Sequence, residues 1–76
     1  MYFPGIDLLT QRERQVCERL VMHCESDKEA AHSLGISDRT VEVHRGALRA
    51  KLGVRNTAEL CMLVHTGRKL PGDTNE

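Results

Sequence analysis

The segment SDRTVEVHRGALRAKLG, from Ser37 to Gly53, constrains the fold more than any other stretch of the chain. At about 3.6 residues per turn, Val41, Leu48 and Leu52 fall on one side of a helix, and Arg39, Glu42, Val43, Gly46 and Ala50 fall on the other. The first side suits a core. The second mixes charged, small and apolar residues, with Thr40, Arg49 and Lys51 flanking it, and suits a helix laid into a DNA major groove. Just upstream, Ser26 to Leu34 reads as a short helix ended by Gly35. Helix, tight glycine turn and longer helix, in that order, is the layout of a helix-turn-helix.

Punctuation divides the rest. Thr10-Gln11-Arg12-Glu13 and Ser26-Asp27-Lys28-Glu29 are capping-box patterns, in which a hydroxyl and a carboxylate satisfy the free N–H groups of a helix start. Ser37 caps the next helix, with Asp38 against the positive end of its dipole, and Gly53 stops it. Asn56-Thr57-Ala58-Glu59 opens a fourth helix. The expected architecture is all-α, a four-helix bundle containing a helix-turn-helix, with helices at about 11–22, 27–34, 38–52 and 57–67. The first helix is expected to bury Val16, Cys17, Leu20 and Val21. The fourth turns Leu60, Leu63 and Val64 to the bundle, leaving Ala58, Cys61, Met62 and His65 on another side. Residues 1–8, with Pro4 and Gly5, are expected as an extended lead-in or linker, residues 9–67 as the domain, and residues 68–76 as a disordered tail.

A chain of 76 residues allows one small domain, and such a domain buries only about 60 % of its unfolded surface. Binding at the surface is the easier task than enclosing a catalytic cleft. One Tyr, one Phe and no Trp favour helices packed through Leu, Val and Ala over a β-sandwich. No apolar run approaches the roughly 18 residues of a membrane span, and no signal peptide is evident, so a soluble, cytoplasmic protein without membrane contact is expected. Eleven basic residues balance eleven acidic ones, which by itself argues against a large nucleic-acid footprint. The distribution is uneven: from Arg39 to Arg55, five basic residues (Arg39, Arg45, Arg49, Lys51, Arg55) face Glu42 alone. Charge leaves two readings open, a polarised binding face and an ordinary solvated helix.

Cys17, Cys24 and Cys61 are odd in number and contain no C-x-x-C pair, so neither a disulfide nor a metal site is expected, and no residue implies a cofactor. Cys17 and Cys61 read as small buried hydrophobes. Cys24 beside His23 offers nothing more than adjacency to a nucleophile-and-base pair, since neighbouring helical residues point about 100° apart. The chain is expected not to be an enzyme.

Several motifs occur in order: Leu9-Thr10-x-Arg12-Glu13; Ser26-x-Lys28-Glu29-x-Ala31-x-x-Leu34-Gly35-Ile36-Ser37; Thr40-Val41-Glu42-x-His44-Arg45; and Lys51-Leu52-Gly53-Val54-Arg55-Asn56-x-Ala58-Glu59-Leu60. Together, over roughly Leu9 to Val64, they closely resemble the LuxR/FixJ-type (GerE-like) helix-turn-helix domain of bacterial transcription regulators. The resemblance implies sequence-specific binding to double-stranded DNA by a homodimer on an inverted repeat, with RNA polymerase as a further candidate partner. It implies base reading by Arg39, Glu42, Val43 and Gly46. Arg39 suits a guanine and Val43 a thymine methyl; Glu42 either accepts from a cytosine amine or repels the backbone. Gly46 lacks a side chain to read with and permits close approach. Phosphate candidates are Thr10, Ser26, Lys28, Thr40, Arg45, Arg49 and Lys51. For Thr10 and Ser26 capping alone is a sufficient explanation, and Arg45, beside the core stripe, suits a brace to a carboxylate equally well. The dimer contact implied for the fourth helix uses Ala58, Cys61, Met62 and His65. Cys24 stands where such domains usually have Gly, Ala30 where they often have a larger aliphatic residue, and His44 where a packed His is usual. The rival reading is a docking or dimerisation module that keeps the fold with weakened DNA binding.

Overall fold

A computed structural model describes residues 1–69. A 3₁₀ turn at Ile6–Leu8 precedes α1 (Gln11–Val21), α2 (Asp27–Leu34), α3 (Asp38–Leu52) and α4 (Thr57–Thr66). Each α-helix begins where a side chain takes up a free backbone N–H. The Thr10 hydroxyl accepts from Glu13 N at 3.1 Å while the Glu13 carboxylate accepts from Thr10 N at 2.9 Å. Ser26 and Glu29 repeat the exchange at 3.2 and 2.9 Å. Ser37 and Asn56 cap α3 and α4 by accepting from Thr40 N and Glu59 N. Such a cap contributes about 1 kcal/mol, and here the caps set the four helix starts within a residue of the expected ones.

The core is aliphatic. Val16 and Cys17 from α1, Val41 and Leu48 from α3, and Leu60 from α4 are completely buried, and Leu20, Val21, Ala30, Ala31, Leu52, Leu63 and Val64 surround them. Removing one leucine side chain from water stabilises by about 1.5–3 kcal/mol, so α3 is anchored chiefly by Leu48 and Leu52 with Val41. α1 is the hub: it packs on α2, α3 and α4, while α3 packs on α1 and α2. Between α2 and α3 the chain reverses at Gly35, whose φ of 69° is open to glycine at no steric cost. The N–H of Ile36 then donates to Ala31 O at 3.0 Å, closing the helix end.

The amino-terminal segment differs from the extended lead-in expected for residues 1–8. Ile6–Leu8 forms a 3₁₀ turn, and Phe3, Ile6 and Leu9 are buried members of the core. Gly5 makes this possible: at φ 98° it passes so close to α3 that a Cβ there would lie 2.8 Å from Leu52 Cδ2. The segment therefore caps the ends of α3 and α4, with Pro4 against Gly67. Of the tail expected at 68–76, Arg68 and Lys69 are exposed, and residues 70–76 lie outside the described residues. Cys24, in the α1–α2 turn, has φ 56°, a left-handed conformation that costs a non-glycine residue roughly 1 kcal/mol or more. No helix among the described residues is long and apolar enough to cross a membrane.

Candidate nucleic-acid interface

With Val41, Leu48 and Leu52 turned inward, α3 presents Arg39, Glu42, Val43, Gly46 and Ala50 to solvent. Val43 is 55 % exposed, a large apolar side chain held on the surface by the helix register. Arg39 and Glu42 form an ion pair at 3.8 Å, with both side chains well exposed. Gly46 has open space above it, with nothing among the described residues within 4 Å of the position a Cβ would take. A groove beside this face is lined by Ser26, Asp27, Lys28, Asp38, Arg39, Glu42 and Arg45, so the start of α2 and the first half of α3 bound one surface.

The cations expected near phosphates divide into two groups. Lys28 and Arg39 extend into solvent. Arg45 is instead half-buried and bonded through Nη1 to the Asp27 carboxylate, which ties α3 to the first turn of α2. Its Nε is buried with no hydrogen-bond partner among the described residues. Of the two alternatives for Arg45, the bond to Asp27 is the contact that a brace requires. Lys51 donates to Glu13 Oε1 at 2.8 Å and joins the end of α3 to the start of α1. Arg49 Nη1 donates to the Arg55 carbonyl at 3.4 Å. The Thr40 hydroxyl lies 2.8 Å from Ser37 Oγ, and the Thr10 and Ser26 hydroxyls serve their caps.

Among the described residues, Glu13 and Glu59 are buried carboxylates. Burial pushes the Glu13 carboxyl up, but the Lys51 hydrogen bond, the Thr10 N–H and the charges of Lys51 and His44 together hold it below its ordinary value. Glu59 is held low by the Arg55 side chain and then by the Arg55 N–H, which donates at 2.9 Å. Both remain charged at neutral pH and fix helix starts. Burial moves the thiols the other way: Cys17 is pushed up to about 11 and Cys61 is raised as well. These two thiols stay protonated and packed, Cys61 only partly buried against the core. Among the described residues no group of three or more His, Cys, Asp or Glu is arranged to hold a metal ion.

On α4, Ala58, Met62 and His65 face solvent beside the half-buried Cys61. The His65 Nε2 lies 3.4 Å from the Val21 carbonyl oxygen, so this ring is also in contact with the end of α1. The residues missed from the sequence are the partners, Asp27 for Arg45 and Glu13 for Lys51. Asp27 carried the signal of a helix-start acid and Glu13 that of a capping box, and nothing local marks a second bond across 18 or 38 positions.

The family model described as "Bacterial regulatory proteins, luxR family" matches residues 7–64. The transcriptional regulatory protein UhpA of Escherichia coli (strain K12) is 49 % identical over 61 residues, covering 80 % of this chain and 31 % of UhpA. TdiR of Thauera aromatica, also a transcriptional regulatory protein, is 44 % identical over 59 residues, which are 78 % of this chain and 26 % of TdiR. FixJ of Azorhizobium caulinodans is 42 % identical over 65 residues, 86 % of this chain and 30 % of FixJ. The chain thus matches about a third or less of each relative's length. With an all-helical fold, a helix-turn-helix at α2–α3 and a match across nearly all of the helical region, the chain belongs to the luxR family of bacterial regulatory proteins as a DNA-binding regulator domain.

Proposed function

We propose that the chain binds double-stranded DNA sequence-specifically, with α3 in the major groove, and that it does so as a dimer joined through α4 within a bacterial transcription regulator. The observation that carries this reading is the outward face of α3, where Arg39, Glu42, Val43 and Gly46 make no contribution to the core although the helix beneath them is rigidly anchored. A reading helix needs that combination, because base contacts are geometrically exacting and the groove admits one helix. Arg39 pairs with a guanine, Val43 meets a thymine methyl, and Gly46 lets the helix approach closely. Lys28 and Arg49, with the backbone N–H groups at the starts of α1, α2 and α3, meet phosphates. Ala58, Met62 and His65, around Cys61, form the two-fold contact, so the operator is an inverted repeat with half-sites about one turn apart. Promoter-bound, such a dimer presents its outer surface to RNA polymerase.

The pairing of Arg45 with Asp27 and of Lys51 with Glu13 favours a second reading, a docking module of the same fold, because both cations are already neutralised inside the chain. Salt separates the two. DNA fragments are selected from a genomic pool by the purified chain, and the best is titrated at two salt concentrations. The DNA reading expects an inverted repeat, lost on Arg39→Ala or Val43→Ala, with an affinity that falls steeply with salt. No enrichment of any fragment even at low salt makes the docking module the better reading.

A further inference from the structure

We infer that Arg39 and Glu42 act as one reading unit, recognising a guanine and a cytosine on neighbouring base pairs; the inference rests on the DNA reading above. Glu42 is the one acidic residue of α3 beyond its first turn. The other acids near this face have structural work. Asp27 holds Arg45, and Asp38 sits in the first turn of α3, against the positive end of its dipole. Glu42 has none. It lies four residues from Asp38, a like-charge spacing that disfavours the helix. Its partner Arg39 precedes it, the less favourable order for an i,i+3 or i,i+4 pair. With side chains 82 % and 57 % exposed, that ion pair contributes little to stability.

The geometry suits recognition instead. Arg39 Nη1 and Glu42 Oε1 are 3.8 Å apart, close to the rise of about 3.4 Å between successive base pairs. The two groups therefore reach adjacent base pairs while remaining in contact with each other. A guanidinium donates to guanine O6 and N7, and a carboxylate accepts from cytosine N4. Neither half fits alone: Arg39 without a guanine stays neutralised by Glu42, and Glu42 without a cytosine amine meets acceptors and nearby phosphates that repel it. The pair so rejects wrong sequences as well as accepting the right one.

The test is selection from a random duplex library by the 76-residue chain, as wild type and as Arg39→Ala, Glu42→Ala and Glu42→Gln, followed by titration of single-base variants of the enriched site. The wild type is expected to select a guanine and a cytosine on neighbouring pairs in each half-site. Glu42→Ala is expected to lose at least about tenfold of its preference for that cytosine and to bind unrelated duplexes more tightly. Glu42→Gln is expected to shift the same position towards adenine, whose N6 and N7 match an amide. A cytosine preference that survives Glu42→Ala, or a wild-type site without neighbouring guanine and cytosine, overturns the inference and leaves the DNA reading standing. A wild type that enriches nothing overturns both.

Discussion

The two halves of α3 are put to different uses. Toward its start Arg39, Glu42, Val43 and Gly46 lie on the exposed side, with Arg39 and Glu42 paired to each other, while Val41 among them is buried in the core. From Arg45 onward most of the prominent side chains reach inward or sideways: Arg45 to α2, Lys51 to α1, Leu48 and Leu52 to the core. One helix thus carries most of its exposed functional candidates toward its start and most of its anchors toward its end, with the buried Val41 the exception. A domain this small therefore divides buried anchoring from surface exposure along a helix as well as around it, and the two can be tested by separate substitutions.

The largest expected effect is at the anchor. Leu48→Ala empties a completely buried position and should cost about 2–5 kcal/mol in urea unfolding. A domain of this size holds only on the order of 4–11 kcal/mol in total at about 0.05–0.15 kcal/mol per residue. Val43→Ala, at an exposed position, should stay within about 0.5 kcal/mol of wild type while weakening binding to the selected DNA site. If Val43→Ala unfolded the domain, or Leu48→Ala changed affinity alone, the division of α3 would be wrong.

The anchored half was more legible in the sequence where it obeys local rules than where it depends on distant partners. Thr10, Ser26, Ser37 and Asn56 announced the helix starts because capping needs only three or four neighbouring residues. Helical periodicity likewise picked out Val16, Val41, Leu48, Leu60 and Leu63, all of them buried. Phe3 and Ile6 escaped it, since a three-residue 3₁₀ turn at Ile6–Leu8 has no period to read and the neighbouring Gly5 and Pro4 approach Leu52 and Gly67, far along the chain. The outward face of α3 was visible as the complement of the core stripe. The Arg39–Glu42 distance was not, because a wheel gives direction without rotamers.

A smaller effect distinguishes the Lys51 end of the anchor. Lys51→Met leaves the buried Glu13 carboxylate with the Thr10 N–H as its remaining hydrogen bond, at a cost on the order of 1–3 kcal/mol at neutral pH. Because the folded carboxyl is held below its ordinary value of 4.5, its contribution is fully present above that pH and disappears as the pH falls through the lower folded value. Acid unfolding followed by circular dichroism should therefore show a shallower loss of stability below pH 4.5 in Lys51→Met than in wild type. An unchanged acid limb would mean that Lys51 is solvated and available to phosphate.

The Arg45–Asp27 bridge should show a coupling on the order of 1 kcal/mol in a double-mutant cycle of Arg45→Met and Asp27→Asn, measured by thermal melts. Its DNA counterpart is sharper. A phosphate contact at Arg45 would make Arg45→Met lower the slope of log affinity against log salt by about 1, whereas a brace leaves the slope as it is. An altered slope without coupling would move Arg45 from the anchored half to the displayed one.

The smallest effect bears most directly on why the displayed half has the residues it has. Gly46 lies inside α3, where glycine is less favourable than alanine by about 1 kcal/mol, and a methyl group there meets nothing among the described residues within 4 Å. Gly46→Ala should therefore raise the unfolding free energy by roughly 0.5–1 kcal/mol. If the outward face sits against base edges, that same methyl group collides with DNA and weakens binding to the selected site, so stability and affinity move in opposite directions. A variant that gained both would show that Gly46 is not close to the groove floor. The recognition helix would then have to enter the groove from its Arg39–Val43 end, tilted away at Gly46.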